Sequence, residues 1–441
     1  MTYQITTSMT DDLGPDFDID APDQEETTQP STEGSIVPRA QRLHKNLVKL
    51  IAQGLEKVFD QNQYSERVLE QLLSSDSRLG SQDRRFIAEH FYNLVRYFRQ
   101  VEWLAAELDE PEDLDYTSLV LMWLCTRGYD LPDWPEAINI PPNHVIREAY
   151  RPEAMPTEVL QSVPDWLYEY GKTQLGDRWD AELAGLNVLA PTYLRANRLK
   201  TDVEGLLDDL VSEGVTATLV PEAPDAVMLD AKLKVIRLGS FRKGLFEVQD
   251  ASSQLIAPFL APEPGQLVID ACAGAGGKAL HLAALMENQG KIIAMDVEAF
   301  KLDELKRRAK RNGVKIIHTY PIEGRKTIKQ FHDKADRLLL DVPCTGLGVL
   351  RRNPDTKWKL DEESIWDLQQ TQASILNQYS KMVKTGGLMV YATCSLMPAE
   401  DEEQVQKFLA EHKNWEFVKD LHTWPSEGWD GFYMALLRRN K

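Results

Sequence analysis

The stretch Arg337-Leu-Leu-Leu-Asp341-Val-Pro-Cys344-Thr-Gly-Leu-Gly-Val-Leu-Arg351-Arg352-Asn-Pro-Asp355 decides the fold of this chain. It begins as a short apolar segment, residues 338–342, that is typical of a buried strand and that breaks at a proline. An acid stands near the end of the strand, and a cysteine, two glycines and two arginines follow. Residues beyond the carboxyl end of a strand lie where open α/β sheets bind ligands. The stretch therefore predicts a ligand site at one edge of a parallel sheet.

A second apolar segment, residues 387–394, also ends in a cysteine, Cys394. If the two strands are neighbours, Cys344 and Cys394 lie close together beside Asp341. A thiolate and an acid next to a methyl donor can alkylate C5 of a cytosine, because the thiolate adds at C6 and the acid stabilises charge at N3. The alternative is that both cysteines are small buried hydrophobic residues, the usual environment of a free cysteine. Their joint occurrence near a glycine-rich turn favours catalysis.

From Gly265 onward, predicted strands and helices alternate. The first strand, residues 267–270, runs into a glycine-rich turn that begins a helix, and the second strand, residues 291–296, ends in an acid. Further elements are predicted as helices at 279–286, 299–312 and 362–384, and as strands at 315–320, 338–342 and 387–394. The alternation predicts an α/β fold with a doubly wound, Rossmann-like parallel sheet and right-handed crossovers.

The glycine-rich turn, Asp270-Ala-Cys272-Ala273-Gly274-Ala275-Gly276-Gly277-Lys278, indicates the cofactor. Its glycine spacing differs from the G-x-G-x-x-G of dinucleotide sites, and it lacks the Gly-Lys-Ser/Thr ending of an ATP-binding P-loop. An acid that closes the second strand, here Asp296, suits a ribose diol. S-adenosyl-L-methionine has a ribose and no phosphate, so it is the cofactor that fits this turn best.

Upstream of residue 251 the chain divides into three predicted parts. Residues 1–37 are predicted to be a disordered acidic tail, since residues 1–38 hold nine acids and no lysine or arginine. Residues 38–150 show helical periodicity and predict an all-helical domain, with a proline-rich connector at 131–156. Residues 151–250 predict a small α+β module, and residues 251–441 form the predicted methyltransferase domain.

Two polar patterns in these parts have alternative interpretations. Ser81 is a predicted N-cap in the helical domain, and four arginines there could contact RNA or form a solvated helix face: Arg84, Arg85, Arg96 and Arg99. The α+β module has predicted helices at 166–189 and 203–213 and strands at 192–197, 215–220, 226–229 and 234–238. Arg195 and Asn197 share one face of its first strand, where they could meet RNA or form a structural hydrogen-bonding pair.

The composition excludes several classes of protein. The chain has 441 residues, 27% of them charged, and a formal net charge of −19, as expected for a globular protein in water. No apolar run reaches about 18 residues, so we expect no membrane span, and the N-terminus does not resemble a signal peptide. Four cysteines without a close pair argue against a disulfide framework or a zinc site. We therefore expect a cytoplasmic, metal-free monomer; the acidic balance does not exclude RNA, because a local basic stripe sets the field at a cleft.

From about residue 40 to its C-terminus, the chain resembles the Sun/Fmu (RsmB-type) RNA cytosine-C5 methyltransferases. The resemblance is carried by six motifs: Phe246-Glu-Val-Gln-Asp250-Ala-Ser-Ser-Gln254, the turn from Asp270 to Lys278, Asp341-Val-Pro-Cys344, Arg352-Asn-Pro-Asp355, Tyr391-Ala-Thr-Cys394-Ser and Asp430-Gly-Phe-Tyr. It implies a Rossmann-like, S-adenosylmethionine-dependent methyltransferase domain that acts on RNA, with rRNA as the expected partner. It also implies that the helical region is a NusB-like RNA-binding domain and that the small α+β module binds RNA as well.

The same resemblance implies roles for individual residues. Cys394 is the expected nucleophile, Cys344 assists release of the methylated product, and Asp341 contacts the cytosine, the donor or both. The expected donor contacts are Cys272, Ala273, Gly274, Ala275, Gly276, Gly277, Lys278, Asp296, Glu323 and Asp341. Two departures from the family pattern stand out: Gly274-Ala275 replaces Ala-Pro and loosens the turn, and Glu323 occupies a position where aspartate is usual.

The function expected from the sequence is therefore RNA cytosine-C5 methylation through a covalent Cys394–C6 adduct. A DNA enzyme of the same chemistry normally uses the cysteine of the Pro-Cys pair as its only nucleophile, so the second cysteine favours RNA by resemblance. Two alternatives stay open at this point. One is a tRNA cytosine-C5 methyltransferase, and the other is a catalytically silent RNA-binding ribosome assembly factor.

Overall fold

The computed structural model describes residues 43–108 and 114–440. The predicted acidic tail, residues 1–37, lies outside them. The described residues form two compact units: one runs to Tyr170 and includes Asn353–Lys359, and the other comprises Gly171–Arg352 and the chain from Leu360 onward. Among the helices in these ranges, none is both long enough and apolar enough to cross a bilayer.

Helices and strands are numbered in chain order. The α-helices are Lys45–Phe59 (α1), Ser65–Ser75 (α2), Ser81–Arg96 (α3), Phe98–Glu107 (α4), Tyr116–Thr126 (α5), Asn143–Ala149 (α6), Thr157–Leu160 (α7), Asp165–Leu175 (α8), Arg178–Leu186 (α9), Val203–Ser212 (α10), Gly239–Lys243 (α11), Ala251–Leu260 (α12), Gly277–Leu285 (α13), Ala299–Asn312 (α14), Arg325–Lys329 (α15), Thr356–Lys359 (α16), Glu362–Tyr379 (α17) and Glu402–Glu411 (α18). The strands are Tyr193–Ala196 (β1), Ala217–Leu219 (β2), Ala226–Leu229 (β3), Phe246–Val248 (β4), Leu267–Asp270 (β5), Lys291–Asp296 (β6), Ile317–Pro321 (β7), Ala335–Asp341 (β8), Val383–Thr393 (β9), Trp415–Thr423 (β10) and Phe432–Arg439 (β11).

The first unit is helical, and its apolar core is shared by α1 to α6. The predicted connector contributes to that core, because α6 forms inside it and buries Ile146. The segment 353–359 also belongs to this unit. Its Asp355 accepts hydrogen bonds from the backbone N–H and the hydroxyl of Ser65, at 2.9 and 2.8 Å, and so holds the start of α2.

One expectation for this unit needs correction. Gly80 occupies the N-cap position of α3, and Ser81 is the first helical residue, because Asp83 reaches back to accept the N–H of Gly80 at 3.0 Å. Three of the four arginines for which RNA contact was considered are held within the protein. Arg96 is buried, Arg84 donates to the Leu73 carbonyl, and Arg99 donates to the Val163 carbonyl.

In the second unit, the small module forms an antiparallel sheet with the order β2-β3-β1-β4. The single helix predicted at 166–189 is two helices, α8 and α9, which are separated at Gly176 with φ +59°. The strand predicted at 234–238 is wrong. Residues Val235–Arg237 form a 3-10 turn there, since Val235 turns inward to pack in the core of the module, and β4 supplies the fourth strand.

The larger sheet has the order β10-β11-β9-β8-β5-β6-β7. Strands β5 to β9 are parallel, and β11 runs antiparallel to both β9 and β10. Both faces of the sheet are buried: along β8, Leu338 and Leu340 pack in one apolar cluster and Leu339 packs in another. The predicted α/β, Rossmann-like fold with a helical N-terminal region is confirmed, and the C-terminal hairpin adds the two outer strands.

Candidate active site

The predicted site residues lie at the carboxyl ends of the five parallel strands. They are the turn from Cys272 to Lys278 after β5, Asp296 at the end of β6, Glu323 after β7, Asp341 at the end of β8 with Cys344 beyond it, and Cys394 after β9. Parallel strands place these ends along one edge of a sheet, which is the usual position of ligand sites in this architecture.

The structure brings the two predicted catalytic cysteines into contact. Their Sγ atoms are 3.3 Å apart, and the backbone N–H of Cys394 also donates to Cys344 Sγ at 3.3 Å. The contact follows from the sheet, because β8 and β9 pair in parallel with Asp341 opposite Ala392. Both residues are free cysteines, and their side chains are almost completely buried.

A second, backbone connection holds the loop after Cys344 against Cys394. The N–H of Gly348 donates to the Cys394 carbonyl at 2.9 Å, and the Gly348 carbonyl accepts the N–H of Gly431 at 2.8 Å. A Cβ at position 348 would lie 2.0 Å from the Gly431 carbonyl oxygen. Only glycine therefore fits at this crossing of three segments.

The environment of Cys344 favours its thiol form. Hydrogen bonding to Cys394, burial and the charge of Glu400 raise the pKa of the Cys344 thiol well above its ordinary value. A protonated Cys344 can donate its S–H to the sulfur of Cys394. Such a donor stabilises negative charge on Cys394, which is the form of cysteine that attacks carbon.

A buried ion pair joins the cofactor turn to the end of β8. Lys278 Nζ lies 2.8 Å from Asp341 Oδ2, and both side chains are only 3% exposed. Lys278 stands in the first turn of α13, so the pair fixes the start of that helix beside Asp341. The pair therefore offers a bound ligand both a hydrogen-bond donor, the Lys278 ammonium group, and an acceptor, the Asp341 carboxylate.

Asp296 holds the cofactor turn through its carboxylate. Its Oδ2 accepts the N–H of Gly274 at 2.9 Å, and its Oδ1 accepts the N–H of Glu298 at 2.8 Å. Because each carboxylate oxygen has a second lone pair, Asp296 can accept further hydrogen bonds. Val297, directly beside it, exposes 65% of its surface and offers an apolar contact next to the acid.

The turn is held at several points despite its departure from the family pattern. Gly274 and Gly276 both have positive φ, +52° and +89°. A Cβ at Gly276 would lie 2.0 Å from Leu305 Cδ1, so this residue also allows α14 to pack closely. The Ala275 carbonyl accepts a hydrogen bond from Arg308 Nη1 at 3.1 Å. The replacement of Ala-Pro by Gly-Ala is thus compensated by contacts from outside the turn.

The remaining predicted donor residues differ in their surroundings. Burial and the charges of Asp296, Asp270 and Asp341 raise the pKa of the Cys272 thiol well above its ordinary value, so this cysteine is a poor nucleophile at neutral pH. Glu323 is exposed beyond β7, and its backbone N–H donates to Thr327 Oγ1 at 3.4 Å. Its side chain is open to solvent at the same sheet edge.

Three of the motifs that carry the family resemblance form one buried ionic network. Arg351 and Arg352 both donate to Asp430, and Arg352 also donates to Asp250 at 2.7 Å. Asp250 in turn caps α12 by accepting the N–H of Ser252 at 2.8 Å. The network fixes the loop that follows Cys344, a role that no local sequence pattern indicates for these residues.

The polar pair of the small module proves to be structural. Arg195 is buried and donates to the Gly277 carbonyl at 2.7 Å, while Asn197 donates to the carbonyls of Gly244 and Asn312 at 2.8 and 2.9 Å. Arg195 thereby supports the turn that begins α13. The interpretation as an RNA contact is not supported for this pair, because neither side chain faces solvent.

The amino-acid sequence of the chain is similar to those of proteins named as ribosomal RNA methyltransferases. Residues 257–438 match the family described as 16S rRNA methyltransferase RsmB/F, and residues 163–236 match the ferredoxin-like domain of RsmF/B-like methyltransferases. A probable ribosomal RNA small subunit methyltransferase B of Synechocystis sp. is 33% identical over 372 residues, or 76% of this chain and 83% of that protein. The corresponding methyltransferase B of Klebsiella pneumoniae is 31% identical over 436 residues, or 90% of this chain and 99% of that protein.

Solved structures share the fold. A methyltransferase homologue from Pyrococcus horikoshii superposes with a TM-score of 0.58 at 26% identity and covers 66% of this chain and 99% of its own. NSun6 from the same organism, crystallised with the S-adenosylmethionine analogue SFG, has a TM-score of 0.58 at 24% identity and covers 64% of this chain and 100% of its own. The relatives above 30% identity over more than two thirds of its length, together with the matching family model, establish that the chain belongs to the RsmB/F family of 16S rRNA methyltransferases.

Proposed function

We propose that this chain is an S-adenosyl-L-methionine-dependent methyltransferase that modifies C5 of a cytosine in rRNA. The single observation that carries the proposal is the 3.3 Å approach of the Cys344 and Cys394 sulfurs at the carboxyl end of the parallel sheet. Two thiols in contact suit a reaction that both forms and breaks a bond from cysteine to carbon. The relatives named as small subunit rRNA methyltransferases support rRNA as the substrate.

The residues at the sheet edge fit S-adenosylmethionine. Asp296 offers carboxylate oxygens to a ribose diol, and the exposed Val297 beside it offers an apolar surface to an adenine ring. The turn from Cys272 to Lys278 would hold the amino acid end of the donor, and Glu323 is positioned beyond β7 for a further polar contact. When bound, S-adenosylmethionine supplies an electrophilic methyl group for C5.

The chain's own residues perform the activation of the base. The thiolate of Cys394 adds to C6 of the cytosine, and the electrons of the C5–C6 double bond become available at C5. Negative charge that develops towards N3 is stabilised by the Lys278–Asp341 pair, in which the ammonium nitrogen lies 2.8 Å from a carboxylate oxygen. Burial of this pair strengthens its interaction with the developing charge, because little water competes there.

Release of the product reverses the addition at C6. Loss of the C5 proton to a base restores the double bond and expels Cys394 as a thiolate. The S–H of Cys344 can stabilise that leaving thiolate, since its sulfur lies 3.3 Å from Cys394 Sγ and its pKa is raised. The assignment of attack to Cys394 and release to Cys344 follows from the family resemblance, and this contact is compatible with it.

The division of the chain into RNA-binding and catalytic parts belongs to the same proposal. We assign residues 38–150 to a NusB-like RNA-binding domain, 151–250 to a small accessory RNA-binding module and 251–441 to catalysis. Arg85 supports the first assignment, because it is exposed on α3, unlike the buried Arg96 on the same helix.

The direct test is methyl transfer to defined nucleic acids. The protein is incubated with labelled donor and one of three substrates: 16S rRNA, a tRNA pool or a DNA of the same sequence, and products are mapped by bisulfite sequencing. We expect 5-methylcytosine in the rRNA alone. Methylation of tRNA alone would establish the tRNA alternative, and binding of rRNA without any transfer would establish a silent assembly factor.

A further inference from the structure

Glu400 lies at the centre of a hydrogen-bond network beneath the two cysteines. It follows β9, precedes α18, and is completely buried. Its Oε1 accepts the backbone N–H of Thr345 and the amide of Gln372, both at 2.9 Å. Its Oε2 accepts the hydroxyls of Thr345 and Ser395, at 2.6 and 2.5 Å. Two of these four donors are N–H groups, which can only donate, so Oε1 accepts two hydrogen bonds.

Two of the three residues that donate to the Glu400 carboxylate are chain neighbours of the two cysteines. Thr345 follows Cys344, and Ser395 follows Cys394. Gln372 on α17 also donates to the carbonyl of Pro343, at 3.0 Å, on the other side of Cys344. One side chain thus joins the turn after β8 to the turn after β9.

Glu400 is itself fixed to the sheet. Its backbone carbonyl accepts the hydroxyl of Tyr391 on β9 at 2.6 Å. None of the four donors to its carboxylate is a charged group, so burial of this acid is not offset by a direct ion pair with any of them. A buried carboxyl group is tolerated when its oxygens are hydrogen-bonded, and here two of its donor residues directly follow the two cysteines in the chain.

We propose that Glu400 is a positioning residue that holds Cys344 and Cys394 at the separation required for addition and release. This inference rests on the proposed function, because the separation matters only if both thiols act on one base. The Glu400 carboxylate makes its hydrogen bonds to Thr345, Ser395 and Gln372 and not to either sulfur. It therefore acts on the cysteines through their neighbours Thr345 and Ser395. Its charge also contributes to the raised pKa of the Cys344 thiol.

Two substitutions separate geometry from charge. In Glu400→Gln, the amide oxygen can accept from the Thr345 N–H and from Gln372, and the two hydroxyls can turn to accept from the amide NH2. The network then survives without its charge. In Glu400→Ala, the network is lost. Glu411→Ala, at the exposed end of α18, is the matched control.

Single-turnover methyl transfer to rRNA, donor affinity and melting temperature are measured for each variant. We expect Glu400→Ala to slow transfer by about 100-fold, since small displacements of reacting groups have effects of this size. We expect Glu400→Gln to stay within about 10-fold of the wild type, and donor affinity to be unchanged in both. If Glu400 only stabilises the fold, activity per folded molecule will be equal in all variants. That result would overturn the proposal.

A second readout does not depend on methyl transfer. Diamide oxidises two adjacent thiols to a disulfide while its N=N bond is reduced to a hydrazine, and peptide mapping identifies the linked cysteines. We expect rapid Cys344–Cys394 bond formation in the wild type, Glu400→Gln and Glu411→Ala, and slow formation in Glu400→Ala. Equal rates in Glu400→Ala and wild type overturn the proposal. If the wild type forms the disulfide readily yet methylates no RNA, the proposed function fails instead.

Discussion

Lys278 and Asp341 form an ion pair at 2.8 Å between the start of α13 and the end of β8, with both side chains 3% exposed. Removal of one partner leaves the other charge buried. We expect Lys278→Met to destabilise the protein by about 3–5 kcal/mol, as is usual when a buried pair is broken. Urea unfolding of the full chain measures this, with exposed Lys291→Met as the control. An equal loss of unfolding free energy in the two variants would show that the Lys278–Asp341 pair does not stabilise the fold.

Gly348 provides a test of the backbone connection between the two cysteine loops. In Gly348→Ala, the new Cβ would lie 2.0 Å from the Gly431 carbonyl oxygen and 2.8 Å from that of Cys394, so the loops must separate. We expect the free energy of unfolding to fall by about 1–3 kcal/mol. We also expect the rate of methyl transfer per folded molecule to fall, because the two cysteine loops no longer keep their spacing. Gly239→Ala, whose Cβ would meet nothing closer than 3.5 Å, is the control and should retain both. Full activity of Gly348→Ala would contradict the described packing.

Asp296 should dominate recognition of the donor. Asp296→Ala removes a charged acceptor for the ribose and also frees the N–H groups of Gly274 and Glu298. Loss of such a hydrogen bond costs about 1.5–3 kcal/mol, which corresponds to roughly 10- to 150-fold in donor affinity. Calorimetry with S-adenosylmethionine measures this directly. Unchanged affinity would exclude Asp296 as the ribose ligand.

His281 makes stability depend on pH. Burial and the charge of Arg195 lower the pKa of His281 to about 4, although its Nε2 lies 2.8 Å from Asp225 Oδ2. Between pH 6.5 and 4 the unfolded chain binds a proton at this residue and the folded chain does not, so stability falls as the pH falls. We expect the wild type to lose about 2 kcal/mol more than His281→Gln between pH 7 and pH 5. Parallel stability curves for the two proteins would contradict this assignment.

The sequence pattern predicted those parts of the site that lie at strand ends. Asp296 and Asp341 end their strands and Cys344 and Cys394 follow theirs, and the sheet places all four along one edge. The alternation of strands and helices can be recognised from short windows of sequence. Once a strand is recognised, the residues at its carboxyl end are known as well. The sheet order, with β8 beside β9, then explains why two cysteines far apart in the chain are in contact.

Residues whose role depends on tertiary contacts could not be predicted in this way. Glu400 begins an acidic run, Glu400-Asp-Glu-Glu403, which is typical of an exposed helix N-terminus, yet its side chain is completely buried. Likewise, Arg195 alternates along β1 as a surface residue does, but it points to the carbonyl of Gly277. In both cases the partner lies in a distant part of the sequence, and local periodicity contains no information about it.

The fate of the RNA in two cysteine variants tests the central claim most directly. Each variant is incubated with rRNA and S-adenosylmethionine and analysed under denaturing conditions for a protein–RNA conjugate that nuclease removes. We predict that Cys394→Ala gives neither methyl transfer nor a conjugate, because the attacking thiolate is absent. We predict that Cys344→Ala accumulates the conjugate, because the leaving Cys394 thiolate then lacks the Cys344 thiol, whose sulfur lies 3.3 Å from Cys394 Sγ in the wild type. A conjugate in Cys394→Ala together with an inactive, conjugate-free Cys344→Ala would make Cys344 the nucleophile and contradict the account.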